Sequence, residues 1–170
     1  MKLRDYIRAD VQTRENESVV KIYAKILLIP EYNAVYLIRK AQFARNALMK
    51  QHYRNLLVRK YGIFLGKNTQ IGPGLKIGHP TSIVIGDGVQ IGKNCTLYQQ
   101  TTIGLKNVDA DAYPCVGDDV VIYAGAKIIG PVQIGNRSAI GANAVVTKSC
   151  DADCVMKGVP ARCTSKKSCS

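Results

Sequence analysis

A branched aliphatic residue returns every six positions between Leu65 and Val146, and this rhythm restricts the fold more than any other feature of the chain. The first run is Leu65, Ile71, Ile77 and Ile83, and the second is Ile85, Ile91, Leu97 and Ile103. The third is Val116, Ile122, Ile128, Ile134, Ile140 and Val146. Glycine follows the aliphatic at nine of these positions, which gives the backbone freedom near corners. A period of six matches neither the 3.6 of an amphipathic helix nor the 2 of a half-buried strand. It matches a chain that turns a corner every six residues and sends one aliphatic per side inward. Three sides close a triangular coil, and stacked coils bury an aliphatic column while their strands pair edge to edge. The pattern predicts a mainly β fold, a parallel β-helix of about four or five coils over residues 62–150.

Composition agrees with a narrow aliphatic column, because aromatic residues make up only 6% of the chain and tryptophan is absent. Residues 1–61 have a different texture, that of a basic α-helical region. Ser18 is placed to cap a helix carrying Val19, Val20, Ile22, Tyr23, Ile26, Leu27 and Leu28, which Pro30 interrupts. A second helical stretch runs from about Ala34 to Tyr61, with Leu37, Ile38, Ala41, Phe43, Leu48, Tyr53, Leu56 and Leu57 as apolar positions. Within residues 1–60, 13 Lys/Arg stand against 5 Asp/Glu, so most of the net charge of +12 precedes the repeats. Such a surplus suits nucleic acid, anionic lipid or a polyphosphorylated small molecule. No nucleic-acid-binding signature accompanies it, and nucleic acid ranks last. A basic amphipathic helix can rest on a membrane surface, but packing against its own protein is the commoner reason for one.

The six cysteines form no C-x-x-C pair, and the opening MKLRDYIRAD is polar rather than a secretory signal. Together these predict reduced thiols and a cytoplasmic location. No stretch reaches the roughly 18 apolar residues of a membrane span. Residues 151–170 read as a C-terminal tail.

Two irregularities interrupt the rhythm. The phase slips by two residues at Ile83 and Ile85, just after His79-Pro80-Thr81-Ser82. Thirteen residues separate Ile103 from Val116, so a polar loop, residues 105–114, leaves the coil there. Loops expelled from a rigid repeat scaffold commonly carry binding function. His79, one of two histidines, is the candidate general base: a neutral imidazole can take the proton of an acceptor hydroxyl.

IGHPTSIVIGDGVQIGKNCTLYQQTTIG, followed by VIYAGAKIIGPVQIG, SAIGANAVVTK and GVPAR, resembles the hexapeptide-repeat acyltransferases. Within them it resembles the serine acetyltransferase branch, which includes O-acetyltransferases of capsule and exopolysaccharide synthesis. The resemblance covers about residues 62–162. It implies a left-handed β-helix, a homotrimer with active sites in clefts between subunits, and acetyl-CoA as cosubstrate without a metal. It implies His79 as catalytic base. It places Ala124, Gly125, Ala142, Thr147 and Lys148 along the pantetheine and phosphate path, with Arg162, Lys166 and Lys167 toward the nucleotide. On the acceptor side it places the loop, with Tyr113; a backbone carbonyl, or Asp109 or Asp111 of that loop, is a candidate to orient His79.

This sequence departs from true serine acetyltransferases at three places. Phe64 stands where they carry an aspartate that pairs with the histidine, and Gly78 where an aspartate contacts the serine amine. Tyr113 replaces a second histidine in the loop. A neutral sugar hydroxyl needs neither carboxylate. The expectation is therefore O-acetylation of a sugar of a surface or capsular polysaccharide, with L-serine as the alternative acceptor. A non-catalytic β-helix scaffold is the reading from another class. A β-helical zinc enzyme would need about three histidine ligands, and the repeats hold only His79.

Overall fold

The computed structural model of the chain describes residues 1–11, 18–106 and 112–166; Asp109, Asp111 and Lys167 lie outside the described residues. From Phe64 onward, short strands wind into a three-sided parallel β-helix. The first face stacks Phe64–Leu65, Val84–Ile85, Thr102–Gly104, Lys127–Ile129 and Val145–Val146. The second stacks Gln70–Ile71, Gln90–Ile91, Cys115–Val116 and Gln133–Ile134. The third stacks Lys76–Gly78, Thr96–Tyr98, Val121–Ile122 and Ala139–Ile140, then continues into a terminal hairpin. Register is maintained from coil to coil: Leu65 lies opposite Ile85, Ile85 opposite Ile103, Ile103 opposite Ile128 and Ile128 opposite Val146. All the aliphatics of the six-residue rhythm are buried.

Each side sends two residues inward, where the rhythm alone suggested one. The residue two before each aliphatic is also buried, as at Leu75, Val89, Cys95, Thr101, Val120, Ala126, Ser138 and Ala144. Polar groups at these positions reach corner carbonyls, which satisfies them inside an apolar column. Thr101 Oγ1 donates to the Tyr98 carbonyl at 3.1 Å, Ser138 Oγ to that of Asp151 at 3.1 Å, and Cys95 Sγ to that of Gly117 at 3.1 Å. Burial pushes the Cys95 thiol up to about 11, with Asp118 and Asp119 adding to the shift. Ile83 belongs to this second inward set, two before Ile85, so the slip in phase falls earlier than the rhythm placed it, in the corner that holds His79.

Four helices precede the coils: α1 (Leu3–Asp10), α2 (Val19–Leu28), α3 (Pro30–Phe43) and α4 (Ala47–Tyr61). Ser18 caps α2, its hydroxyl accepting from Lys21 N at 3.4 Å, and Pro30 occupies the first turn of α3. The second predicted helix is divided because Asn46 Oδ1 accepts from Met49 N at 2.8 Å and starts α4 anew. Gly62 ends α4 in the left-handed conformation, φ 63°. Ala34, Val35, Leu37, Ile38, Ala41 and Leu57 join the aliphatic column, so the helices cover its N-terminal end. Phe43 and Leu48, expected in the core, are 38% and 83% exposed.

The cap also closes a row of open carbonyls. Alternate strand residues donate to the next coil, as Gly66 N does to Ile85 O and Gly72 N to Ile91 O, both at 2.8 Å. The first coil has no strand before it, so its carbonyls on that side face the helices. Arg39 of α3, fully buried, supplies two of them, Nη1 to Ile71 O and Nη2 to Gly72 O, both at 2.6 Å. Its other three hydrogens go to Asp10 (2.8 and 2.9 Å) and Gln42 (2.8 Å), so all five are used. Arg54 of α4 donates to Lys67 O at 2.9 Å. Part of the basic surplus thus blunts a strand edge.

Where the sequence reads as a tail, Cys154–Gly158 and Ala161–Lys166 pair antiparallel and extend the third face. The expectation of reduced thiols is corrected for one pair: Cys154 and Cys163 face each other across this hairpin and form a disulfide, Cα to Cα 5.9 Å. Cys95, Cys115 and Cys150 are free thiols. Among the described residues no helix is long and apolar enough to cross a membrane.

Candidate active site

His79 stands on the edge where the third face turns into the first. In later coils this edge is formed by Gln99–Gln100, Ala124–Gly125 and Ala142–Asn143, the second residue of each pair having positive φ (59°, 72° and 56°). Their N–H groups stitch each coil to the one before. Gln100 N donates to Thr81 O at 3.1 Å, Gly125 N to Gln99 O at 3.0 Å and Asn143 N to Ala124 O at 2.9 Å. Thr81 and Ser82 are therefore the first coil's counterparts, and His79 and Pro80 are two additional residues. His79 itself has φ 58°, a conformation sparse for a residue with a Cβ, and it is exposed. The corner raises an imidazole off an otherwise flush edge.

The same edge gathers three of the cosubstrate candidates. With strands about 4.8 Å apart, Ala124–Gly125 and Ala142 follow His79 at roughly 10 and 14 Å along it. Glycine suits position 125, where φ is positive and a Cβ would displace the Asn143 side chain. Lys127 Nζ secures the edge by donating to Gln100 O (3.0 Å) and Gly125 O (2.7 Å). The main-chain N–H groups of Ala124 and Ala142 donate to no acceptor among the described residues. Gln99 Oε1 is buried and accepts from none. Two spare donors and one spare acceptor along an edge suit an extended, amide-bearing arm such as pantetheine.

The remaining candidates lie elsewhere. Thr147 and Lys148 follow the last first-face strand, and Lys148 lines a cavity of about 490 Å³ with Arg162, Gln133 and Asp151 at the C-terminal end. His79 is not among the residues lining that cavity. Tyr113 is half-buried against Gly88, on the edge between the first and second faces, where a Cβ on Gly88 would lie 2.6 Å from its ring. A single chain thus does not bring Tyr113 to His79. Phe64 is 55% exposed on the first face, opposite Val84, and offers an imidazole no hydrogen bond. Among the described residues nothing hydrogen-bonds the His79 ring, and no cluster of three metal-ligating side chains occurs. A larger cavity, about 700 Å³ between the helices and the second face, contains no residue of the His79 edge.

Three residues near His79 escaped the sequence reading: Gln99, Tyr98 and Tyr123. The tyrosines follow Leu97 and Ile122, at outward positions where most sides carry glycine, and that was the available signal. Their rings stack, centroids 5.5 Å apart and 10° from parallel.

Residues 116–148 match the family of bacterial transferase hexapeptides (six repeats). Over 100 residues the chain is 42% identical to a serine acetyltransferase of Mycobacterium tuberculosis (strain ATCC 25618 / H37Rv), covering 58% of this chain and 44% of that one. Among solved structures, soybean serine acetyltransferase complexed with serine superposes with a TM-score of 0.81 at 28% identity, over 95% of this chain and 69% of that one. A serine acetyltransferase in complex with CoA gives 0.80 at 28% identity, over 95% and 69%. By repeat and by fold, the chain resembles the left-handed β-helix hexapeptide-repeat acyltransferases. Within that class the relatives it matches are serine acetyltransferases. It spans less than half the length of the curated relatives it matches.

Proposed function

We propose that the chain is an O-acetyltransferase that moves the acetyl group of acetyl-CoA to a hydroxyl of its acceptor, with His79 as general base. The observation that carries this reading is the edge itself. It presents one raised imidazole, then the unused N–H groups of Ala124 and Ala142 and the unused Gln99 oxygen in line with it. His79 removes the acceptor hydroxyl's proton as the oxygen attacks the thioester carbonyl. The tetrahedral intermediate collapses, the C–S bond breaks, and the imidazolium returns the proton to the departing thiolate. Holding both substrates against a rigid edge supplies much of the acceleration. Lys148 and Arg162, at the far end of the coils, fit the phosphate-bearing end of the cosubstrate.

Relatives named serine acetyltransferase, and one solved with serine, make L-serine the first acceptor to try. Phe64, Gly78 and Tyr113 favour a second reading, a neutral sugar hydroxyl of a surface polysaccharide or its precursor. A homotrimer completes the proposal, because a neighbouring copy can supply Tyr113, its loop and a phosphate-binding end to the His79 edge of another. Use of acetyl-CoA goes with a cytoplasmic location.

Free-thiol release from acetyl-CoA tests the reading, with L-serine and a panel of sugars as acceptors. His79→Ala should lower turnover by roughly 10²–10⁴-fold while CoA still binds by calorimetry. Unchanged turnover in His79→Ala, or a wild type that neither binds CoA nor releases thiol, would sink the proposal.

A further inference from the structure

The acceptor side of His79 is defined by Gly78, the residue before it, and Gly78 is not empty space. In the strand register Gly78 lies opposite Tyr98, whose ring leans over it. A Cβ at position 78 would lie 2.8 Å from Tyr98 Cε1 and 2.9 Å from Cδ1, closer than a side chain tolerates. Tyr123, one coil further and 44% exposed, stacks on the other side of Tyr98. The Tyr98 ring thus lies in the volume a side chain at 78, the residue before His79, would otherwise occupy, and Tyr123 stacks on it.

Charge on this face points the same way. Its outward positions are Lys76, Gly78, Thr96, Tyr98, Val121, Tyr123, Gly141 and Lys157, with no carboxylate among them. On the opposite edge Asp118 pairs with Lys93 at 3.5 Å, Asp119 accepts from Asn94 at 3.1 Å, and Asp153 pairs with Arg137 at 2.7 Å. An ammonium group on these outward positions would meet Lys76 and no carboxylate among them, Glu31 lying beyond Lys76 toward the helices. A tyrosine, in contrast, offers an apolar ring and a hydroxyl that both donates and accepts, which suits an acceptor with alternating C–H surface and hydroxyls.

We infer that Tyr98, supported by Tyr123, selects the acceptor, and that the acceptor is a carbohydrate without an ammonium group rather than an amino acid. This rests on the acetyl-transfer reading above and narrows its acceptor. Tyr98 is a specificity-determining residue, and Gly78 is the small residue that lets its ring lie down beside the base.

The test is thiol release from acetyl-CoA by the full chain, with free and nucleotide-linked hexoses and L-serine as acceptors. Wild type should favour a hexose. Tyr98→Ala should raise the hexose KM by roughly five- to tenfold, as loss of an aromatic contact does, with the acetyl-CoA KM unchanged. Tyr98→Phe, which keeps the ring and the fold, should retain part of that affinity. Gly78→Ala, which displaces the ring without touching Tyr98 chemically, should raise the same KM. Preference for L-serine by wild type, or an acceptor KM that moves in none of the three variants, overturns the inference and leaves acetyl transfer standing. A wild type that releases no thiol with any acceptor and binds no CoA overturns the function, and the acceptor assignment with it.

Discussion

Replacing Asp10 by alanine isolates one guanidinium in the interior. Arg39 is fully buried and Asp10 only 3% exposed, so neither charge has water to fall back on. In Asp10→Ala, Arg39 keeps Gln42, Ile71 O and Gly72 O but loses two charge-assisted bonds and its counter-charge. Breaking a buried pair by removing one partner costs about 3–5 kcal/mol. For a chain of this length each kcal/mol lowers Tm by about 2–4 °C, so the expected fall is roughly 6–20 °C. Arg39→Met should fall comparably, since it strands two main-chain carbonyls and leaves the Asp10 carboxylate with only the Leu75 N–H, at 2.9 Å. The double replacement Asp10→Leu/Arg39→Met strands the carbonyls but no charge, and should lose much less than the two single effects added together. Arg39→Lys does not rescue, because an ammonium has three donors and no fork. Calorimetry of the four variants at one protein concentration measures this. A shift under about 3 °C in Asp10→Ala, or strict additivity in the double variant, would mean that water reaches the guanidinium and that the clamp is not what joins helices to coils.

Further outcomes follow from two buried groups. Iodoacetamide at pH 8.5, mapped by mass spectrometry, should label exposed Cys115 and spare Cys95, whose raised thiol is neutral and enclosed. Because that thiol ionises more readily in the unfolded chain, its contribution is intact below about 9.0 and is lost as pH rises toward about 11; the stability of wild type to denaturant should fall across that window more than that of Cys95→Ala. Ser138→Ala should cost about 1–3 kcal/mol, since its buried hydroxyl bridges Asp151 O and Cys154 N, and hydrogen exchange at Cys154 should quicken.

The coils were legible because their period is set by backbone geometry and their inward residues by exclusion from water. Every aliphatic of the rhythm is in the column. Less legible was anything that depends on what lies across a coil boundary. The second inward set mixes Leu75, Cys95, Thr101, Ala126 and Ser138, which share a volume rather than a polarity, so no single-letter pattern marks it. Arg39 reads as one more basic residue of a basic region; only the direction of the coil hydrogen bonds reveals that it has carbonyls to fill. At the site, the break in phase identified the His79 corner. The same break was silent about Tyr98, whose relation to Gly78 is a register between residues twenty apart.

The edge that begins at His79 also behaves as a ruler with fixed graduations. Every coil adds one strand spacing, about 4.8 Å, and a partial coil would rotate all later faces out of register. The span from the imidazole to the terminal cavity of Lys148 and Arg162 can therefore be lengthened or shortened only by whole coils of eighteen or so residues. Tolerance for an inserted or deleted coil would report how closely that span is matched to the molecule laid along it. Insertions within corners, like the two residues at His79, change what the ruler carries without changing its length.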